Sequence, residues 1–125
     1  MVKFYKCFHC GSVVAKLNEV GPVPVCCGEP MKELKAGVVE ASAEKHIPVA
    51  KIEGGKVEVV VGSVLHPMLP EHFIEWVYLE TDKGGSFVFL KAGEEPKALF
   101  ALLPEEKPLA VYAYCNLHGL WKSEL

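Results

Sequence analysis

The chain contains no arginine. Arginine's planar fork is the usual reader of phosphates and guanine edges, so its absence argues against nucleic acid as a partner. No apolar run approaches the ~20 residues that cross a bilayer, so no membrane-spanning helix is expected. No basic-then-apolar leader opens the sequence: Met1-Val2-Lys3-Phe4-Tyr5-Lys6 runs straight into the first cysteine, and a cytoplasmic protein is expected. Helical periodicity is scarce as well; apart from a possible turn at Pro70–His72, no helix is expected. There is no repeat and no low-complexity stretch. Residues 1–35 are too few to build a hydrophobic core, so that part of the chain needs a staple. Charge is modest at -3 overall and unevenly placed. Residues 1–35 carry five Lys and three Glu, whereas residues 36–125 carry eight Lys and thirteen acids. The opposite signs permit docking or recognition of a charged partner, although most such charges are ordinary solvated surface.

What the chain has is metal-ligand chemistry. All five cysteines and four of the five histidines fall into two sets. The first is Cys7-x-x-Cys10-Gly11 followed by the adjacent pair Cys26-Cys27. Two thiolates of a Cys-x-x-Cys turn point at one ion, and a second pair completes a tetrahedron. Four cysteines accommodate zinc and iron alike. Five cysteines without a secretion signal favour metal or redox use over disulfides, and a vicinal Cys26–Cys27 disulfide is the poorer alternative. Adjacency denies Cys26-Cys27 the relaxed turn geometry, so distortion of the sulfur–metal–sulfur angle is expected there. His9, between two ligands, is read as a surface residue.

The second set is His46, His66, His72, Cys115 and His118. Singly, each is weak evidence, because a lone histidine is more often a hydrogen-bonded core or surface group. Their placement carries the case. His46, His66 and His72 lie where the strand pattern breaks, with Pro48 and Pro67 stiffening two of the segments. Cys115-x-x-His118-Gly119 follows the apolar stretch Leu109–Tyr114. Four imidazoles and one thiolate exceed a tetrahedron; they suit a five-coordinate redox metal with one position open, where chemistry takes place. Glu44 and Lys45 directly precede His46. They are either a solvated ion pair or groups within reach of the open position, with Lys45 attracting an anion and Glu44 filling the vacancy when the metal is oxidised.

The remaining pattern is β. Val2–Tyr5, Val13–Leu17 and Met31–Lys35 read as short strands, with an extended Gly21–Pro24 and a turn at Gly28-Glu29-Pro30. A boundary is expected at Ala36-Gly37, giving domains 1–36 and 37–125. Beyond it, Ile47–Glu53 and Lys56–Val61 flank the hairpin signal Gly54-Gly55. His72–Thr81 and Ser86–Lys91 flank Asp82–Gly85, and Lys97–Leu102, Leu109–Tyr114 and Leu120–Ser123 follow. Alternation is read in Val57, Val59 and Val61, and in Phe73, Val77 and Leu79. About seven strands at this spacing predict an antiparallel sandwich or small barrel.

Taken together, Cys7-x-x-Cys10 with Cys26-Cys27, Glu44-Lys45-His46-Ile47-Pro48, His66-Pro67-Met68, His72-Phe73-Ile74-Glu75-Trp76 and Cys115-Asn116-Leu117-His118-Gly119-Leu120-Trp121 resemble the desulfoferrodoxins, the two-iron superoxide reductases. The resemblance spans essentially the whole chain in order. It implies an all-β protein with a desulforedoxin-like domain and an immunoglobulin-like antiparallel sandwich. It implies two irons, one on Cys7, Cys10, Cys26 and Cys27. The other would lie on equatorial His46, His66, His72 and His118 with axial Cys115. It also implies superoxide as substrate, a rubredoxin-like electron donor, a homodimer, and an auxiliary role for the first centre. The competing reading is a non-enzymatic electron carrier in which the histidines are structural or bind zinc.

Overall fold

The computed structural model describes residues 2–37 and 41–125. The chain divides into two compact units, Met1–Lys35 and Ala36–Leu125.

In the first unit, β1 (Lys3–Lys6), β2 (Val13–Lys16), β3 (Val25–Cys26), β4 (Glu29–Pro30) and β5 (Lys32–Leu34) form a three-stranded sheet, β2-β1-β5, and a small β3-β4 hairpin. Its buried cluster is Tyr5, Cys7 and Met31 with Cys26 packed against it. Cysteine thus supplies half of that cluster, in keeping with a unit too small for an ordinary core. The turn expected at Gly28-Glu29-Pro30 lies one residue earlier. Cys26 pairs with Glu29, leaving Cys27-Gly28 as a two-residue loop. Both loop residues have positive φ, +52° and +76°. That is a primed turn, which matches the strand twist but ordinarily selects Asn or Gly at its first position.

The second unit contains α1 (Ala43–His46), β6 (Pro48–Glu53), β7 (Lys56–Val61), β8 (Ile74–Thr81), β9 (Gly84–Phe89), β10 (Lys97–Ala101), β11 (Pro108–Cys115) and β12 (Gly119–Glu124). Its seven strands form two antiparallel sheets, β10-β7-β6 and β12-β11-β8-β9. The inner faces meet in one core of Val57, Val59, Val61, Ala98 and Phe100 against Ile74, Val77, Leu79, Val111, Ala113 and Cys115. This is the expected immunoglobulin-like sandwich. Gly54 and Gly55, at φ +58° and +76°, close the β6-β7 hairpin as their dipeptide predicts.

Two expectations need correction. Phe73 does not share the core face with Val77 and Leu79. The β11–β8 register shifts between Tyr114 and Cys115, which inserts one residue into β8 opposite Cys115. Such a bulge reverses the alternation, so Ile74 takes the core position and is fully buried. Nor is the chain free of helix: Ala43–His46 forms a single turn. Four residues are too few to show a 3.6-residue period. The turn ends where Ile47 becomes extended (φ -70°, ψ 119°), as a residue before proline must.

The antiparallel arrangement decides where the site lies. His46 precedes β6, His66 follows β7, His72 precedes β8 and Cys115 ends β11. Pro48 pairs with Val61, and Ile74 with Cys115, so these four points lie at the same end of the sandwich.

Candidate metal centres

The first unit gathers the sulfurs of Cys7, Cys10, Cys26 and Cys27 within 4.8 Å of one another. Cys7 follows β1, and the knuckle is tied by Gly11 N–H to the Cys7 carbonyl (2.8 Å) and Cys7 N–H to the Ser12 carbonyl (2.9 Å). The sulfurs of Cys10 and Cys26 are 3.6 Å apart, and those of Cys26 and Cys27 3.9 Å. A tetrahedron with ~2.3 Å metal–sulfur bonds has edges of about 3.8 Å. The set therefore fits one tetrahedral ion, and none of the cysteines is in a disulfide. The distortion expected at Cys26-Cys27 is absent from the sulfur spacing. It sits in the backbone instead, where Cys27 occupies the left-handed region at φ +52°. The thiols respond to crowding. The Cys10 backbone N–H draws Cys7 down to about 6. Hydrogen bonds shared with the sulfurs of Cys10 and then Cys7 push Cys26 up to about 12. Cys27 is raised chiefly by Cys7. One thiol ionises readily and its neighbours then resist; a cation at the centre removes that conflict. His9 is not part of the cluster: its Nε2 lies 2.9 Å from Glu29 Oε2 on the exposed surface.

The second unit brings together all five donors of the second set. The four imidazoles stand in a square. Successive ring centroids are 4.6 Å (His46–His66), 4.7 Å (His66–His72), 5.0 Å (His72–His118) and 4.9 Å (His118–His46). The His46–His72 diagonal is 6.4 Å, and neighbouring rings are turned 75–87° to each other. Beneath the square is Cys115, fully buried at the end of β11. Its sulfur is within 4.8 Å of donor atoms on His46, His66 and His72, and 4.0 Å from His118 Nδ1.

The hydrogen bonds reveal which nitrogens are free. His46 Nδ1 donates to the Ser42 carbonyl and His66 Nδ1 to the Pro67 carbonyl, both at 2.7 Å. Their Nε2 atoms then present lone pairs, yet these face each other at 3.1 Å. Two lone pairs repel at that distance unless a cation lies between them. His118 Nδ1 is likewise 3.1 Å from His46 Nε2. His72 Nε2 is the buried side-chain polar atom left without a partner among the described residues. Cis donors 3.1 Å apart on a square lie about 2.2 Å from its centre, close to a metal–imidazole bond of ~2.0–2.1 Å. Burial lowers the pKa of His46 and His72, and takes His66 to about 4, so these imidazoles are neutral ligands near pH 7.

Trp121, to which sequence reading assigned no role, packs against the site. It stacks on His46 (centroids 4.9 Å apart, 29°), and its indole N–H donates to the His118 carbonyl at 3.0 Å. Above the square a cleft of about 360 Å³ is lined by Ala41, Ser42, Lys45, His46, Pro67, His72 and His118. Lys45 thus reaches the open side. Glu44 is exposed and does not line that cleft; its backbone carbonyl accepts from Val64 N–H at 2.9 Å. Gly62, at φ +87°, presses on this turn: a Cβ there would lie 2.7 Å from the Glu44 and Lys45 carbonyl oxygens and closer still to that of Val64.

An all-β chain with a tetrathiolate centre and a separate four-imidazole, one-thiolate centre is a two-centre metalloprotein of the redox type. Residues 38–124 match the desulfoferrodoxin family and residues 1–34 its N-terminal domain. The chain belongs to the desulfoferrodoxin family. It is 44% identical over 122 residues to the desulfoferrodoxin of Nitratidesulfovibrio vulgaris, covering 98% of this chain and 95% of that one. A superoxide reductase from Treponema pallidum superposes with a TM-score of 0.84 at 37% identity, covering 99% of both chains. The one-iron superoxide reductase from Giardia intestinalis superposes with a TM-score of 0.55 at 34% identity, covering 66% of this chain and 99% of its own. The donor sets here suit two irons per chain, in accord with that family.

Proposed function

We infer that the chain is a superoxide reductase, with residues 37–125 the catalytic domain and residues 1–36 a desulforedoxin-like domain holding an auxiliary Fe(Cys)4 centre. The observation that supports this most is the imidazole square over a buried thiolate, with one face open to a cleft that Lys45 lines. His46, His66, His72, His118 and Cys115 would hold the iron, which when ferrous would supply the one electron that, with two protons, converts superoxide to hydrogen peroxide.

The chain's residues do the rest. Neutral imidazoles leave the ion's charge intact, and Cys115 removes one unit. With a ferrous ion bound, the donor set would carry +1, Lys45 would raise the local charge to +2 and Glu44 would return it to +1. The whole protein carries -3. Charges beyond a Debye length of ~8 Å are screened, so the local positive sign governs the approach of a small anion. Lys45 draws superoxide into the cleft, and burial of Cys115 keeps its sulfur from water and oxidants. Glu44, exposed one residue before Lys45, is outside the cleft, and its carboxylate would have to turn inward before it could serve the open side of the site. A small rubredoxin-like donor, assembly as a homodimer and a reducing cytoplasmic setting complete the reading.

The test is metal analysis with pulse radiolysis of the reduced protein. The expected result is two irons per chain and a thiolate-to-iron absorption band that appears as superoxide is consumed. A colourless zinc protein inert to superoxide would refute the reading, and a two-iron protein whose second iron ignores superoxide would favour the electron carrier.

A further inference from the structure

His46 and His66 are each oriented by their own ring, through an Nδ1–H bond to a carbonyl. His72 is different. Its ring makes no hydrogen bond among the described residues, and its Nε2 is buried without a partner. The peptide that carries it, however, is held at every polar group. His72 N–H and C=O pair with Leu69 at 3.1 and 2.9 Å. The residues on either side bond to a single side chain, that of Asn116. Phe73 N–H donates to Asn116 Oδ1 at 3.0 Å, and Asn116 Nδ2 donates to the Glu71 carbonyl at 3.0 Å. Asn116 N–H also donates to the Phe73 carbonyl at 3.3 Å.

Asn116 lies in the three-residue loop between Cys115 and Gly119, which pair across the β11-β12 hairpin. One carboxamide therefore links the hairpin bearing Cys115 and His118 to the segment bearing His72. A carboxamide suits the task because it offers a donor and an acceptor side by side.

We propose that Asn116 is the positioning residue for His72: by holding the peptide on both sides of it, Asn116 sets the angle and depth of the fourth imidazole. This rests on reading the second set as a metal centre. Partners of this kind contribute about 10–100-fold to metal affinity.

The test is titration of the full-length metal-free protein with Co2+, whose visible spectrum distinguishes a tetrathiolate site from a histidine-rich one. Asn116→Ala is expected to bind cobalt at the histidine set about 10–100-fold more weakly and with an altered spectrum. Binding at the cysteine set should be unchanged. In a His72→Ala background the same substitution should cost less than about two-fold, because the ring through which it acts is gone. Asn116→Asp keeps the acceptor for Phe73 N–H but puts an oxygen against the Glu71 carbonyl. Its added negative charge favours a cation, so weaker binding there reports geometry. Wild-type affinity and spectrum in Asn116→Ala, or an equal loss in the His72→Ala background, would overturn the proposal. If Asn116→Ala does not fold, unchanged or tighter binding by Asn116→Asp overturns it. Failure of the underlying reading shows separately: the wild-type protein would take up cobalt at the cysteine set alone, and the proposal falls with it.

Discussion

Gly62→Ala should damage the site from a distance. The residue is buried after β7 and sits at φ +87°, a conformation that costs an alanine about 1–2 kcal/mol. Its new methyl would also stand 2.7 Å from the carbonyl oxygens of Glu44 and Lys45, where ordinary contact is about 3.4 Å. The Val64 carbonyl oxygen lies closer still, so relief requires the loop after β7 to move, and α1 to shift by about 0.7 Å as well. That turn carries Lys45 and His46, and it is anchored by the Val64 N–H bond to Glu44 that the same shift would stretch. Gly54→Ala is the control: its φ is +58°, but nothing lies within 4 Å of its Cβ. The control should lose about 1 kcal/mol, and Gly62→Ala about 3 kcal/mol, which lowers the melting temperature by roughly 10 °C or more. Misplacing the turn by most of an ångström should slow the reaction with superoxide by roughly 10–100-fold, measured by pulse radiolysis on iron-loaded protein. Equal melting temperatures for the two variants, with a wild-type rate for Gly62→Ala, would refute the reasoning.

Four other outcomes are expected. Cys115→Ser should abolish superoxide reduction while leaving the tetrathiolate spectrum intact, since the two ligand sets share no residue; loss of both spectra together would show the centres to be inseparable. Cys10→Ser should remove centre one and make residues 1–35 protease-sensitive, yet leave the rate with superoxide largely unchanged; an inactive variant with a fully loaded second iron contradicts this. Lys45→Ile should slow the bimolecular step about ten-fold and weaken its salt dependence, whereas Glu44→Ala should leave encounter unslowed and shift the ferric absorption band; wild-type kinetics for Lys45→Ile at two salt concentrations would end the steering idea. Metal-free protein should lose stability as pH falls from about 6.5 to 4. Burial holds His66 at about 4 and lowers His46 and His72, so the unfolded chain binds protons in that window that the native state refuses. His66 alone accounts for about 3 kcal/mol, and a flat stability profile from pH 7 to 4 would contradict the assignment.

The two donor clusters were legible because cysteine and histidine declare their chemistry by type, and the strands because Val57, Val59 and Val61 alternate without interruption. The Gly54-Gly55 hairpin was legible for the same local reason. The β8 bulge was not: one inserted residue moves Ile74 into the core and Phe73 out of it, and composition is unaffected by such a slip. The α1 turn escaped because four residues cannot display a period. The roles of Trp121 and Asn116 arise from contacts made only after the hairpin folds back over its neighbours, which leave no mark on spacing. At Cys26-Cys27 adjacency did signal strain, but whether it would settle in bond angles or in φ depended on a hairpin that the sequence pattern had rendered as an extended run and a turn.

Because the donor segments of the second unit leave the sandwich at one end, the opposite end carries none of those five donors. Gly54-Gly55 and Asp82-Lys83 close hairpins there, at the far ends of the strands that lead to His46, His66 and His72. Neither turn lines the cleft. The molecule therefore offers its own handle. A fluorophore, an affinity tag or a tether to an electrode grafted at Gly54-Gly55 stands a full strand length from the histidine cluster, and such turn tips tolerate insertion well. Immobilised through that turn, the second unit would be held by the end opposite its histidines, so that superoxide could be sensed at a surface without re-engineering a single donor residue.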